Sequence, residues 1–250
     1  MARLIGESVV TARNIVILTG AGISAESGLG TFRDKDGIWT KYPLEDLATP
    51  EGFQRNPQFV HGFYNDRREA LKTARPHAGH EALATLEKEW CGRGNTFTLV
   101  TQNVDNLHEQ AGSSSEHLIH MHGELLKIRC ASCSVVMEHA DPISTESICS
   151  SCDEAGYMRP HVVWFGEIPL GMDEIEAALT DVDVFVSVGT SGNVYPAAGF
   201  GQMARTMGAR TVELNLEPSE NAYVFDEALY GPASEIVPQW VDAFLSRSAD

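Results

Sequence analysis

Six short runs rich in apolar and β-branched residues alternate with helical patterns, and a glycine-rich turn follows the first run. Together these features predict an α/β fold with a doubly wound parallel sheet. Two long segments break the alternation, which adds a smaller domain beside the sheet. The runs are NIVILTG (14–20), TFTLVTQN (96–103), HLIHMHG (117–123), HVVWFGE (161–167), DVFVSVGT (183–190) and TVELNL (211–216). Several are continuously apolar, as strands covered on both faces must be. Helical periodicity covers 57–74, 77–89, 172–180, 196–208 and 234–247.

Residues 31–90 are too long for a simple crossover and contain the helical stretches NPQFVHGFYNDRREALKTA and HAGHEALATLEKE. Residues 124–160 are rich in Ser, Cys and Asp, with little helical period. Residues 1–30, 91–123 and 161–250 are therefore assigned to a Rossmann-like nucleotide-binding domain. The helical insertion 31–90 and the module 124–160 form the small domain, and the cleft between the two is the natural ligand site.

A chain of 250 residues can build one full core and a smaller module. Its net charge of −17 argues against direct nucleic-acid binding, which depends on basic residues neutralising phosphates. The charge favours solubility and leaves room for a cationic protein partner. The N-terminus reads as no signal peptide, and no apolar run approaches the ~18 to 20 residues that span a bilayer. A cytoplasmic protein without membrane contact is expected, and nothing in the sequence requires an oligomer.

Four of the five cysteines form two pairs, Cys130-x-x-Cys133 and Cys149-x-x-Cys152, a spacing that reads as a zinc site. Four thiolates close a tetrahedral site, leaving no position for water or substrate, so this zinc is structural. Cys91 is left over near a helix end, as a small residue at a turn. His120 and His122 are then not needed as ligands. They stand two apart on a strand and face one side. A hydrogen-bonded structural role suits either, while His122, before Gly123 at the strand end, is also placed to act as a general base.

GAGISAESG carries Gly20-x-Gly22-x-x-Ala25, the GxGxxA form of the dinucleotide fingerprint, after a strand and opening a helix. A tight structural turn would also explain it. No strand ends in an acidic residue about 20 positions later. Only Asp34 and Asp36 stand near there, in a loop, so a ribose must be held in another way. Three more loops sit at strand ends: GTSG (189–192), NLE (215–217) and QNVDNLH (102–108). Gly189, Thr190 and Ser191 suit phosphate, and Glu217 suits ribose hydroxyls. Gln102, Asn103 and Asp105 can match a carboxamide. Each loop could equally be a strand-to-helix turn with a cap.

Tyr64 and Arg67 stand three apart on one face of a helix. A phenol beside a guanidinium fork makes a carboxylate receptor. An exposed Arg67 pairing with Asp66 or Glu69 is the plainer alternative.

Taken in order, GAGIS-x-x-SG, TFRDKDGIW, TQNVDNLH, HMHG, the cysteine quartet, HVVWFGE, GTSG and NLE resemble the sirtuins, NAD-dependent protein-lysine deacylases. The likeness covers nearly the whole chain. Tyr64-x-x-Arg67 is similar to the Tyr-x-x-Arg of class III sirtuins, in particular the compact bacterial enzymes of the CobB type. The resemblance implies that Gly20, Ala21, Gly22, Ser24, Phe32, Arg33 and Trp39 bind NAD. Gln102, Asn103 and Asp105 would line its nicotinamide side, the latter two with a catalytic part. Gly189 to Ser191, and Asn215, Leu216 and Glu217, would hold phosphates and adenosine, with Ala233 near the adenine. Val162, Val163 and Phe165 would pair as a strand with the backbone of an acylated-lysine protein substrate.

By the same resemblance the acyl oxygen attacks the nicotinamide ribose and nicotinamide leaves. His122, as general base on a ribose hydroxyl, then leads to free lysine and 2'-O-acyl-ADP-ribose. Tyr64 and Arg67 would receive the carboxylate of succinyl- or malonyl-lysine, so both desuccinylase/demalonylase and deacetylase activities are expected. Two rivals share the same motifs: mono-ADP-ribosyl transfer to protein, and a non-catalytic NAD-sensing zinc protein.

Overall fold

In the computed structural model, which describes residues 12–30 and 43–248, the run NIVILT forms strand β1 (Asn14–Thr19) near the centre of a six-stranded sheet. Its partners are β2 (Thr96–Thr101), β3 (Leu118–His120), β7 (Val184–Val188), β8 (Arg210–Asn215) and β9 (Glu227–Tyr230), in the order β3-β2-β1-β7-β8-β9. Every neighbouring pair is parallel. From β1 the chain steps outward to β3, then returns to the other side of β1 at β7. That reversal makes the β1/β7 junction the switch point, beyond whose carboxyl ends open α/β sheets bind ligands.

Of the nine α-helices among the described residues, α1 (Ala21–Ser24), α2 (Leu44–Leu47) and α3 (Pro50–Arg55) are short. The others are α4 (Pro57–Leu71), α5 (Ala78–Gly92), α6 (Leu107–Ala111), α7 (Met172–Thr180), α8 (Phe200–Thr206) and α9 (Ala233–Arg247). Both faces of the large sheet are covered, which is why its strands read as continuous apolar runs. On one face Leu83, Leu86 and Trp90 of α5 and Val237, Trp240 and Phe244 of α9 pack on Ile15, Ile17 and Val186. On the other, Ile175 and Leu179 of α7 and Phe200 of α8 pack on Val16, Leu18 and Phe185. Helix α5 thus lies on the large sheet, although its sequence position placed it in the 31–90 insertion. Its apolar residues at i, i+3 and i+7 form one stripe that needs a sheet to cover it.

A second, antiparallel sheet has the order β5-β4-β6, from β4 (Gly123–Cys130), β5 (Val136–Glu138) and β6 (Met158–Val162). The run HVVWFGE, expected as a strand of the large sheet, therefore belongs here and leaves the strand at Val162. Its apolar character comes from a different core, in which Val162 and Trp164 pack with Val60, Tyr64 and Leu125. Burial is legible in a short apolar run, but the identity of the sheet is not. Helix α4 ties the insertion to this sheet. Asn56 caps it by accepting the Phe59 N–H at 3.1 Å, and Pro57 occupies its first turn. Arg68, 2% exposed, donates to the carbonyls of Leu125 (2.7 Å), Asp141 (3.2 Å) and Lys127 (3.3 Å). Burial still pulls its guanidinium down to about 10.

Candidate active site

A cleft of about 990 Å³ opens at the switch point and runs toward α4 and the end of β6. The half at the switch point is stitched from main chain. The Gly20 N–H donates to the Val188 carbonyl (3.0 Å), Gly22 N–H to Gly189 O (2.9 Å) and Gly189 N–H to Leu214 O (2.9 Å). The glycines are required by this stitching. A Cβ on Gly22 would lie 2.7 Å from Gly189 Cα, and one on Gly189, whose φ is +61°, would lie 2.4 Å from Ile23 N. The N–H groups of Gly20 and Gly22 are committed to protein carbonyls, so the fingerprint works here by loop-on-loop contact rather than by offering those two donors to phosphate. Helix α1 is a single turn without a side-chain cap.

Ala21, Thr190 and Ser191 line the same wall. Thr190 is buried, its hydroxyl 2.8 Å from that of Ser187. Asn215 Nδ2 donates to Thr190 O at 2.8 Å, which joins the GTSG and NLE loops. Leu216 and Glu217 continue the wall, and Ala233 stands at its far end at the start of α9. Phe32, Arg33 and Trp39 lie outside the described residues.

The QNVD turn separates the two halves. Gln102 N–H donates to Thr19 O at 2.9 Å. Asn103 Nδ2 donates to Gly20 O (3.1 Å) and to Ser24 Oγ (3.0 Å), and Ser24 donates in turn to Asp105 Oδ2 (2.9 Å). Asp105 also accepts the Leu107 N–H (3.1 Å) at the start of α6. Ser24 and Asp105 do not line the main cleft. They face a smaller cavity of about 70 Å³ that Asn103, Ala21 and Arg67 share with it. Burial pushes the Asp105 carboxyl up, against the hydrogen bonds from Leu107 and Ser24.

Two histidines hold this turn by consecutive carbonyls. His122 Nδ1 lies 3.1 Å from Gln102 O. A carbonyl only accepts, so Nδ1 carries the hydrogen and Nε2 of the neutral ring keeps its lone pair. His122 lines the cleft, and burial lowers its pKa against the pull of that carbonyl. Next to it, Gly123 has φ +82°, and a Cβ there would come within 2.1 Å of His161 O. His120 differs. Nδ1 faces Asn103 O at 3.2 Å and Nε2 faces Glu109 Oε1 at 2.9 Å. Both nitrogens meet acceptors, an arrangement that favours the protonated ring. Burial opposes the charge, but Glu109 prevails and raises the pKa.

Tyr64 and Arg67 line the end of the cleft toward α4, and Tyr64 is 4% exposed. Arg67 is half-buried. Burial lowers its pKa, opposed by the nearby Tyr64 and Asp105. Val162, Val163 and Phe165 line the cleft as well. The strand pairing expected along them would have to spare three main-chain donors. The strand stops at Val162, and the following donors are taken: Val163 N–H by His122 O (2.8 Å), Trp164 N–H by Glu167 Oε2 (2.8 Å) and Phe165 N–H by Ala48 O (2.9 Å). An incoming peptide cannot use those three without breaking bonds already made.

Comparison with known proteins agrees with this arrangement: residues 20–196 match the Sir2 family. The chain belongs to the Sir2 family. A protein of Caulobacter vibrioides named NAD-dependent protein deacylase is 59% identical over 233 residues, covering 93% of this chain and 97% of its own. An Escherichia coli K12 protein of the same name is 53% identical, over 92% of this chain and 82% of its own. A solved Sir2 homolog–NAD complex superposes with a TM-score of 0.85 at 36% identity, covering 96% of this chain and 93% of its own.

The cysteine quartet of this Sir2-family chain fits a metal. Cys130 Sγ is 3.8 Å from Cys152 Sγ, Cys133 Sγ is 3.7 Å from Cys149 Sγ, and all four sulfurs lie within 4.8 Å of one another. Zinc with four sulfurs at ~2.3 Å sets tetrahedral edges of ~3.8 Å. The two knuckles are built alike. Ser134 N–H returns to Cys130 O and Asp153 N–H to Cys149 O, each at 2.9 Å. Ser134 and Asp153 both take positive φ, 65° and 59°. Strand β4 lies between the quartet and His122, which immediately precedes that strand.

Two features escaped the sequence reading. The GTSG loop continues along the cleft through Asn193, Val194 and Tyr195. Trp164 donates its indole N–H to Tyr64 Oη at 2.9 Å. The second had a signal in the sequence, since an indole inside an apolar run must find an acceptor when buried.

Proposed function

We propose that the protein is an NAD-dependent protein-lysine deacylase acting on acetyl-lysine and on the carboxylate-ended succinyl- and malonyl-lysine, with acylated proteins as substrates and the cytoplasm as its place of action. Among the described residues no helix is long and apolar enough to cross a membrane. The observation that carries the reading is His122, neutral, with Nε2 as its only free ring acceptor, between a main-chain nucleotide wall and an acyl wall bearing Tyr64 and Arg67.

NAD, when bound, supplies the ribose that receives the acyl group and releases nicotinamide. The chain's own residues do the rest. Gln102 O fixes the His122 tautomer so that Nε2 can take a proton from a ribose hydroxyl. Asn103, held by Gly20 O and Ser24, and Asp105 behind it give the nicotinamide side a rigid polar floor. Arg67 and the Tyr64 hydroxyl offer charge-assisted donors to an acyl carboxylate. The four cysteines would hold a structural zinc that braces β4 and the small sheet. Because the His122 pKa is lowered from 6.5, the base is in its working form at neutral pH, and activity is expected to fall as acidification protonates it.

The test is mass spectrometry of acetyl- and succinyl-lysine peptides incubated with NAD. Wild type should yield acyl-ADP-ribose, nicotinamide and free lysine, and His122→Ala should lose ~10²- to 10⁴-fold in rate on both peptides. ADP-ribose mass added to protein in place of peptide deacylation would refute the reading.

A further inference from the structure

Behind the acyl wall a series of contacts leads to Trp164, which is 2% exposed. Its indole is gripped from several sides. The Arg159 guanidinium lies 3.3 Å from the ring centroid, and the Phe53 ring centre is 5.3 Å away. The Trp164 backbone N–H donates to Glu167 Oε2 at 2.8 Å. Arg159, 6% exposed, is itself fixed by two bonds to Glu167 (2.7 and 3.0 Å) and one to Val162 O (2.8 Å). So held, the indole has one orientation, with its N–H directed at Tyr64 Oη.

An indole nitrogen donates and does not accept, whereas a phenol hydroxyl offers one hydrogen and accepts elsewhere. With Trp164 on the accepting side of Tyr64 Oη, the hydroxyl hydrogen must turn away from it. Burial pushes Tyr64 up to about 12, so the hydroxyl keeps that hydrogen at neutral pH. Tyr64 and Arg67 both line the cleft.

We infer that Trp164 is a positioning residue for acyl-group choice: its N–H aims the Tyr64 hydroxyl, beside Arg67, at the carboxylate of a dicarboxylic acyl group. This rests on the reading of Tyr64 and Arg67 as a carboxylate receptor. An acetyl group has no carboxylate to meet, so the device acts on succinyl- and malonyl-lysine alone.

The test compares kcat/KM for acetyl- and succinyl-lysine forms of one peptide on the zinc-loaded chain, as wild type, Trp164→Phe, Tyr64→Phe and the double variant. Trp164→Phe should lower the succinyl-to-acetyl ratio about ten-fold, the effect of one hydrogen bond, through a raised KM for the succinyl peptide. Added to Tyr64→Phe, it should change the ratio by less than about two-fold, because the pair acts as a unit. Replacing Trp164 by β-(3-benzothienyl)alanine, which puts sulfur in place of N–H and keeps the ring shape, should give the same drop. That analogue carries the test if Trp164→Phe does not fold. Equal loss on both acyl groups, an unchanged ratio or full additivity with Tyr64→Phe overturns the inference while leaving the receptor intact. A wild type that releases no succinyl group overturns the receptor, and this inference with it.

Discussion

At the β1/β7 end of the cleft the wall is main chain, drawn together by Gly20, Gly22 and Gly189, while the end toward α4 is walled by the buried side chains of Tyr64 and Trp164 and the half-buried Arg67. The first half is rigid for a steric reason, because backbones in contact leave no room for a Cβ. The second is held by hydrogen bonds between side chains, which can be changed singly without moving the chain. A binding wall made of backbone suits a ligand that does not vary, and one made of side chains suits a group that does. His122 stands between them, its main chain tied to Val163 and its ring to the QNVD turn.

That contrast makes its largest prediction at Gly189. Alanine there combines a left-handed φ of +61° with a Cβ 2.4 Å from Ile23 N and 2.8 Å from Gly22 C. A loss of ~2–5 kcal/mol is expected from strain and overpacking, read by urea unfolding, along with NAD affinity and activity on every acyl group. Wild-type NAD binding in Gly189→Ala would mean the backbone wall is not rigid.

Arg67→Met should be selective instead. Loss of a charge-assisted bond of ~1.5–3 kcal/mol predicts about a 10- to 100-fold fall in kcat/KM for succinyl-lysine. Acetyl-lysine turnover is expected to be largely kept. Parallel losses on the two peptides would erase the distinction between the halves.

Acidification tests the packing beneath the nucleotide wall. Burial pulls His80 from 6.5 down to about 3 and His108 well below 6.5. Below 6.5 the unfolded chain binds protons that these rings refuse in the native state, so stability is present above that pH and declines beneath it. His80 should contribute ~2 kcal/mol of loss between pH 7 and 5 and His108 a further loss of the same sign, measured as a fall in the urea midpoint. In His80→Asn the slope should shrink by about one proton; an unaltered slope would refute the assignment.

The smallest effect is expected at Glu109→Gln. His120 owes its raised pKa to Glu109 against burial, with Glu124 and Asp105 as further nearby carboxylates and His108 as an opposing ring. A raised histidine holds its charge below its folded pKa and loses it as pH rises. Removing the Glu109 charge should therefore move the alkaline limb of kcat to lower pH, on both acyl groups alike. An unmoved limb would show that the His120 charge does not support the Asn103 carbonyl.

Legibility in the sequence follows the range of each interaction. The zinc site was plain because each pair of thiolates comes from one local turn, Cys130 to Ser134 and Cys149 to Asp153. The inner strands of the large sheet were plain because burial on both faces leaves an unbroken apolar run, whereas the edge strand β9, EALY, alternates with exposed residues and was not read. HVVWFGE was misplaced for the same reason, since an apolar run reports burial and not the partner. GELLKIRC, strand β4, was folded into a segment of little pattern, because its exposed face carries Glu124 and Lys127, which pair with each other at 2.7 Å.

The sequence by itself determined an α/β fold of the Sir2 kind, a cysteine quartet that fits zinc and the candidacy of His122, all of which rest on residue type and short spacing. Tertiary structure alone decided that α5 covers the large sheet, that the GxGxxA glycines serve loop-on-loop contact, and that the pKa of one histidine of HMH is lowered while that of the other is raised. It also decided that Trp164 faces Tyr64 across 100 positions of chain. Such matters depend on which acceptor stands opposite a given nitrogen, and only the folded chain brings donor and acceptor within 3 Å.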